Sequence, residues 1–389
     1  MNISLCLAVL SALSSLHVVH AENTDSAKPS KQRLCRGEAL PDGMYKEDMP
    51  LKAGYSAPAS IELSKGVFSD VAMGFDASFI YWSASEEGLG YGSSAALVTA
   101  NNGDVISVPT SNGRVFYING GYSPGFKLGV SGTAKEWTLS GEYTWYRYSA
   151  SQASNAPSTS FGTPVWVVND MFQQTTTALQ PLAGPHLDCS WKLKLDIADA
   201  VFSRPYYMGP NLVVVPFGGV RAVWIRQKMD ANLTLASSTL SNPISGPVIS
   251  KNSSVSWELG PRFGFDAQAL FSNNFRFEGN LAGSILYSHY SVKHSENAAS
   301  IGAIPSTVSF SFTGPNVVRT IFETGLGFGW GCYLQDRKYH FDIAANYDFS
   351  IYFDRNVIRK FLDEEVIGSG TPAGNLFLHG LTVRTKLDF

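Results

Sequence analysis

Three combinations of histidine with a second titratable side chain are the candidates for acid–base or nucleophilic chemistry: His186 with Asp188, His289 with His294, and Asp354 with His379. A general base must lie within hydrogen-bond reach of the proton it takes, and a nucleophile needs a base that is itself oriented by a third group. None of the three spacings specifies such a set. No His, Cys, Asp or Glu spacing matches a metal site, so neither metal nor cofactor is expected. The run Gly325-Leu-Gly-Phe-Gly-Trp-Gly331 looks at first like a nucleotide loop. Its glycines, however, recur at every second residue, which is the period of a strand and not of a phosphate-binding turn. It reads as a strand with one face stripped of side chains, leaving space or permitting close backbone approach. These residues point away from an enzyme.

The same two-residue period organises the charged side chains. From Tyr339 to Phe353, apolar Tyr339, Phe341, Ile343, Tyr347, Phe349 and Ile351 alternate with His340, Asp342, Asn346, Asp348 and Ser350. An ordinary strand runs about 5–6 residues, whereas one crossing a bilayer at a tilt needs about 9–11. Ten segments carry the pattern, centred on Phe75–Tyr81, Phe126–Val130, Trp137–Trp145, Leu187–Ile197, 211–226, Trp257–Phe265, Phe275–Tyr287, Val318–Trp330, Tyr339–Phe353 and Phe377–Phe389. Connections after the even segments are short, near 131–135, 204–210, 271–274 and 335–337. Those after the odd segments are long, near 84–121, 149–186, 227–254, 291–315 and 355–374. Short turns at one end and long loops at the other predict an all-β antiparallel transmembrane β-barrel with periplasmic turns and surface loops. Ten strands are the floor and sixteen the ceiling, because the loops at 84–121 and 149–186 have room for further hairpins.

Charge on a lipid-facing wall costs roughly 2–4 kcal/mol for Arg or Lys at the midplane, so the charged faces are expected to line the lumen. The pore-lining set is then Asp76, Lys127, Glu142, Asp188, Lys192, Lys194, Asp196, Glu258, Arg262, Asp266, Arg276, Glu278, Arg319, Glu323, Asp342, Asp348, Arg384 and Lys386. Two outcomes are open: a hydrated lining with at most a weak cation preference, or charges that pair across the lumen and plug it. Aromatic clusters at segment ends, such as Tyr81-Trp82 and Trp145-Tyr-Arg-Tyr148, fit interfacial girdles.

Composition agrees. Of 389 residues only 16% are charged, 13% are aromatic and 36 are glycine. A net charge of −3 offers no footprint for nucleic acid. No apolar run reaches the roughly 18 residues of a transmembrane helix. The mean hydropathy of −0.02 is no argument against a barrel, which hides its hydrophobicity in alternation. Residues 1–21 read as a signal peptide, with an apolar Ile3–Leu16 and a small-residue site at Ala21. Residues 22–66, rich in Pro, Gly and Ser near the start, form a periplasmic amino-terminal segment, and 67–389 the barrel. The sequons at Asn232 and Asn252 are expected to mark polar loops.

Two stretches go beyond pattern. Tyr55-Ser-Ala-Pro-Ala-Ser-Ile-Glu-Leu63 precedes Asp76-Ala-Ser-Phe-Ile-Tyr-Trp-Ser-Ala-Ser-Glu-Glu-Gly-Leu-Gly-Tyr91. Together they resemble the major outer membrane protein-like family of legionellae and chlamydia-related bacteria. Leu187–Asp196, Gly260–Asp266 and the terminal Phe389 resemble the same family's landmarks. The resemblance implies a pore-forming, abundant, surface-exposed protein of the bacterial outer membrane, tied in some relatives into disulfide-linked envelope networks. It carries no catalytic residues.

The expectation is therefore a porin passing small hydrophilic solutes or ions through a polar lumen, with outer-membrane lipid as its surroundings and a homo-oligomer or disulfide-linked envelope proteins as possible partners. The alternative is a surface structural protein or adhesin anchored by its barrel. Leu387 and Phe389, on the apolar face of the closing strand, are the expected assembly signal. Cys35, Cys189 and Cys332 are the disulfide candidates of the mature chain. Cys189 opens the fourth strand at the surface end and Cys332 closes the eighth at the periplasmic end. A hydrocarbon core of about 30 Å between them excludes a bridge that tolerates about 7 Å between Cα atoms. Cys35 could reach Cys332 or a neighbouring molecule, or all three could be reduced.

Overall fold

The computed structural model describes residues 52–56, 72–99, 105–109, 113–134, 137–155, 161–164, 186–208, 211–234, 244–301, 304–314, 316–335, 339–367 and 372–389. The expected signal peptide, most of the expected amino-terminal segment and Cys35 lie outside them.

Ten long strands form the barrel wall: β1 (Ala72–Glu86), β2 (Tyr122–Ala134), β3 (Trp137–Asn155), β4 (His186–Ser203), β5 (Leu212–Thr234), β6 (Ile244–Leu270), β7 (Phe275–Ile301), β8 (Val317–Leu334), β9 (Tyr339–Tyr352) and β10 (Leu376–Asp388). Each pairs antiparallel with its chain neighbours, β6 with β7 included. β10 closes on β1 from Gly74↔Asp388 to Glu86↔Leu376, leaving no open edge in the wall. The closure is tied by reciprocal bonds between the Met73 and Phe389 backbones, each 2.8 Å, and Phe389 stacks on Phe75 at 5.8 Å.

The wall has ten strands, the floor of the expected range. The loops at 84–121 and 149–186 do hold strands, but Gly90–Thr99, Val105–Pro109, Val115–Tyr117 and Phe161–Pro164 pair among themselves as a separate small sheet. β6 and β7 are 27 residues each and extend into what the sequence suggests are loops at 227–254 and 291–315, over 244–254 and 291–301. Ile304–Thr313 adds a strand beside the far end of β7. Asn232 and Asn252 accordingly sit within β5 and β6, and Asn252 is buried, which corrects their reading as loop markers. Among the described residues one helix, α1 (Val357–Ile367), lies in the connection between β9 and β10. Asn356 caps it, its Oδ1 accepting from the Arg359 N–H at 3.1 Å.

Along each strand the faces alternate, and halfway up the barrel the alternation changes its meaning. Near the short turns the outward set is large and apolar, with Phe79 53% and Phe328 62% exposed, while the inward set is charged. Nearer the long loops this inverts. On β5, outward Val220 and Trp224 give way to Arg226 and Lys228, and inward Arg221 gives way to buried Val223, Ile225, Met229 and Leu233. A single apolar cluster fills the upper interior, drawing Ile80 and Trp82 from β1, Tyr146 and Tyr148 from β3, five apolar side chains from Leu187 to Ile197 on β4, and Tyr290, Ile321, Tyr352 and Leu378 from the opposite wall. β6 contributes mainly small polar groups here, among them buried Ser250, Ser254 and Ser256. From above, α1 packs Val357, Ile358 and Leu362 into the cluster, and its Phe361 lies 5.4 Å from both Phe310 and Phe312.

Candidate functional site: the barrel interior and its two ends

The interior is closed near the short turns by Lys52–Ser56, a stretch expected to belong to the periplasmic segment. Ala53 and Tyr55 are completely buried there. The Gly54 N–H donates to the Asn273 carbonyl at 2.8 Å, Arg276 Nη1 donates to the Gly54 carbonyl at 2.9 Å, and His340 Nε2 meets the Ala53 carbonyl at 2.8 Å. Lys386 Nζ donates to the Ser56 carbonyl at 3.1 Å. The Tyr55 ring packs edge-on to Tyr207 with Val213 and Leu270, and burial raises the pKa of its hydroxyl well above the ordinary phenol range. The bare face of β8 makes this possible. A Cβ on Gly331 would collide with the Ala53 carbonyl, one on Gly329 with the Arg276 guanidinium, and one on Gly327 with Asn346. The glycines leave room for the inserted segment and for the charges beside it.

Above this segment the inward charges pair, some along one strand or between neighbouring strands and some, as Arg221 with Glu323, between strands that are not neighbours. Arg221 holds Asp199 with two bonds of 2.7 Å and Glu323 with a third of 2.7 Å, and Arg262 reaches Glu323 at 3.1 Å. Arg276, completely buried, joins Asp342 and Glu278, the latter at 2.6 Å, while Arg384 lies 3.5 Å from Glu278. Lys127 faces Glu142 at 3.8 Å, and Lys386 bonds Asp388 at 2.8 Å. Higher up, Arg319 and Arg355 converge on Glu258, which also accepts from Ser288 at 3.2 Å. Between the amino-terminal segment and the apolar cluster remains a polar cavity of about 280 Å³, with Ser56 at one end and Trp82 at the other. Asp76, Asp266 and Asp348 line it and have no ion-pair partner among the described residues; Asp348 accepts from Thr382 at 2.6 Å.

Of the sequence-predicted lining, Asp76, Lys127, Glu142, Glu258, Arg262, Asp266, Arg276, Glu278, Arg319, Glu323, Asp342, Asp348, Arg384 and Lys386 face inward. Lys192, Lys194 and Asp196, with Asp188, do not. On β4 the odd residues from Leu187 to Ile197 are buried while Lys192 and Lys194 are exposed on the outer wall, which corrects their assignment to the lumen. The reason is that the upper wall stands against water on its outside and an apolar core on its inside, so charge is cheap outside and costly within. Asp196 pairs outside with Arg147 at 2.8 Å and accepts from the Tyr143 hydroxyl at 2.8 Å. Two inward residues that sequence reasoning missed, Arg221 and Asp199, form a buried, two-pronged pair. Arg221 lies in a segment apolar on both faces, and Asp199 falls just past the end of the fourth alternating segment.

The catalytic candidates separate. His186 and Asp188 do meet, at 3.0 Å, but on the half-exposed outer wall at the start of β4. His289 faces Asn316 at 3.0 Å, whereas His294 is buried inside against Asn252 at 2.7 Å. His379 bonds the Tyr347 hydroxyl at 2.7 Å and not Asp354. Cys189 and Cys332 are both buried and not joined to each other; the Cys189 thiol lies 3.6 Å from the Met229 sulfur.

No curated protein sequence matches the chain. Among solved structures, the outer membrane protease OmpT from Escherichia coli is similar at 8% identity and a TM-score of 0.38, over 82% of this chain and 96% of that one. The toluene transporter TbuX of Ralstonia pickettii follows at 8% identity and 0.25, over 87% and 96%, and a FadL homologue of Pseudomonas aeruginosa at 6% and 0.23, over 87% and 93%. Likeness at this level says nothing of activity. The family model described as the Legionella pneumophila major outer membrane protein precursor matches residues 70–389, which is most of the chain. The chain belongs to that family and is a β-barrel protein of the bacterial outer membrane.

Proposed function

We propose that this member of the Legionella major outer membrane protein family is chiefly a surface structural protein, whose barrel anchors in the membrane a rigid β-walled extension that carries the long loops. The observation that carries this reading is the continuous apolar cluster across the upper interior, in which Trp191, Leu193, Leu195, Tyr146 and Tyr352 have at most 1% of their surface exposed. Interiors of about eight strands are filled by side chains and open aqueous channels come with 16–18, so ten strands sit near the filled end of that scale. Close-packed side chains projecting from the wall strands cannot swing aside without breaking the wall's own packing.

The second reading is passive diffusion of small hydrophilic solutes. It is favoured by the polar cavity and its three carboxylates without an ion-pair partner among the described residues, and it needs both Lys52–Ser56 and the apolar cluster to yield. Purified full-length protein in a planar bilayer separates the two. Silence at high protein density is the expected result, and stepwise conductance promotes the diffusion reading.

A further inference from the structure

The outer wall of β3–β7 carries a patch that neither reading uses. Trp145, Asp196, Trp224 and Trp257 form one cross-strand row pointing outward. One outward position further toward the long loops, the next row reads Arg147↔Lys194↔Arg226, and the row beyond it Lys192↔Lys228, followed by Ser253↔Lys293. Lys192, Lys194, Arg226, Lys228 and Lys293 are exposed, and none has a carboxylate within ion-pair distance among the described residues. Only Arg147 is engaged: it forks onto Asp196 at 2.8 and 3.0 Å and lies over the Trp145 ring at 4.7 Å.

Two features of this patch call for an anion. Like charges directly opposite one another on antiparallel strands repel, and here Lys194 faces Arg226 while Lys192 faces Lys228 one outward step away. Asp196 one step below is engaged by Arg147 and Asp230 one step above stands opposite Lys251, so a wall that keeps four cations so opposed, with no acid in their own two rows, is unfavourable unless something external neutralises it. The second feature is height. Tryptophans mark the level of the membrane interface, and the cations begin one outward step beyond them on the long-loop side, which is the outer leaflet. A soluble anion has no reason to prefer that level, whereas a lipid headgroup is confined to it.

We infer that Lys192, Lys194, Arg226 and Lys228 form a binding site for the phosphate groups of a phosphorylated lipid of the outer leaflet, whose acyl chains lie against the apolar wall below the tryptophan row. The inference depends on which end of the barrel faces outward and not on whether the lumen conducts.

The test uses the folded full-length chain in neutral detergent, with diphosphorylated lipid A as the probe and native mass spectrometry and thermal unfolding as readouts. The quadruple variant Lys192→Gln/Lys194→Gln/Arg226→Gln/Lys228→Gln should bind lipid A at least about tenfold more weakly, since each basic residue near an anionic surface contributes appreciably. Without lipid the same variant should unfold at a higher temperature than the natural chain, because the opposed cations are gone. Lipid A should raise the unfolding temperature of the natural chain and not of the variant. Dephosphorylated lipid should bind both alike, and Lys360→Gln, on α1, should behave as the natural chain. Equal lipid A affinity in the natural chain and the quadruple variant overturns the proposal. So does equal affinity of the natural chain for phosphorylated and dephosphorylated lipid. Protection of the natural chain by inorganic phosphate to the same extent as by lipid A overturns the lipid as ligand and leaves a general anion site. Should the quadruple variant not fold, Lys194→Gln and Lys228→Gln singly must each still weaken binding.

Discussion

The lower and upper halves of the barrel are built from the same strands and obey opposite rules. Below the Trp145–Trp224–Trp257 row, the wall is apolar outside and charged inside, with Arg221 paired to Asp199 on the next strand and to Glu323 beyond it. Above it, Lys192 and Lys194 stand outside while Leu193 and Leu195 are buried. The difference lies in the solvent beyond the wall: hydrocarbon tolerates no charge, whereas water beside an apolar core favours it. One continuous strand serves both because a pleat presents two independent faces and its residues can change type partway along. Strand geometry thus fixes only that the faces differ, and the medium decides which face is which.

The largest expected effect breaks the lower half from within. Arg221→Leu leaves Asp199 and Glu323 with Arg262 alone, 3.9 and 3.1 Å away, and losing one partner of a buried ion pair costs about 3–5 kcal/mol. Denaturant unfolding in detergent should show that loss, and Lys194→Gln, an unpaired cation in the upper half, should show none of it. The matching break in the upper half is Leu193→Ala, which empties a fully buried site and should cost about 2–5 kcal/mol.

The outward faces sharpen the contrast further. Val220→Lys places a cation on the lower outer wall, where it should cost about 2–4 kcal/mol if the position is near the midplane. The reverse exchange above the row, Lys194→Leu, should change stability by no more than about 0.5 kcal/mol, as for other surface sites. Refolding into lipid vesicles, with the folded fraction read by gel mobility, compares the two directly.

Much of this fold was legible in the sequence. The ten alternating segments are the ten wall strands, and the segregation of connection lengths gives their direction. Phe389 and Leu387 lie where a closing strand requires them, opposite Met73 and Phe75. The orientation of β4 was not legible, because alternation from Leu187 to Ile197 is equally regular whichever side is wet. Assigning charge to the lumen holds only where lipid lies outside. The upper reaches of β6 and β7 were missed for a related reason: Lys251-Asn-Ser-Ser254 has polar residues on both faces and reads as a loop. Insertion of Lys52–Ser56 has no periodic signal of its own. Its trace is in β8, where Gly327, Gly329 and Gly331 leave a face too bare for a free wall. α1 could have been found from Asn356 as a cap before apolar residues at 357, 358, 361 and 362.

The central claim, that the faces exchange roles at the tryptophan row, is tested most directly by scanning β5 with single cysteines in intact cells. The background is Cys35→Ser/Cys189→Ser/Cys332→Ser, and the reagent a membrane-impermeant maleimide. Cysteines replacing Arg226 and Lys228, at headgroup level, should label faster than those replacing Val223, Ile225 and Met229, which stay protected by the core, and that replacing Val220, which is shielded by lipid. Rapid labelling at 223, 225 and 229 would mean a water-filled upper lumen and contradict the account.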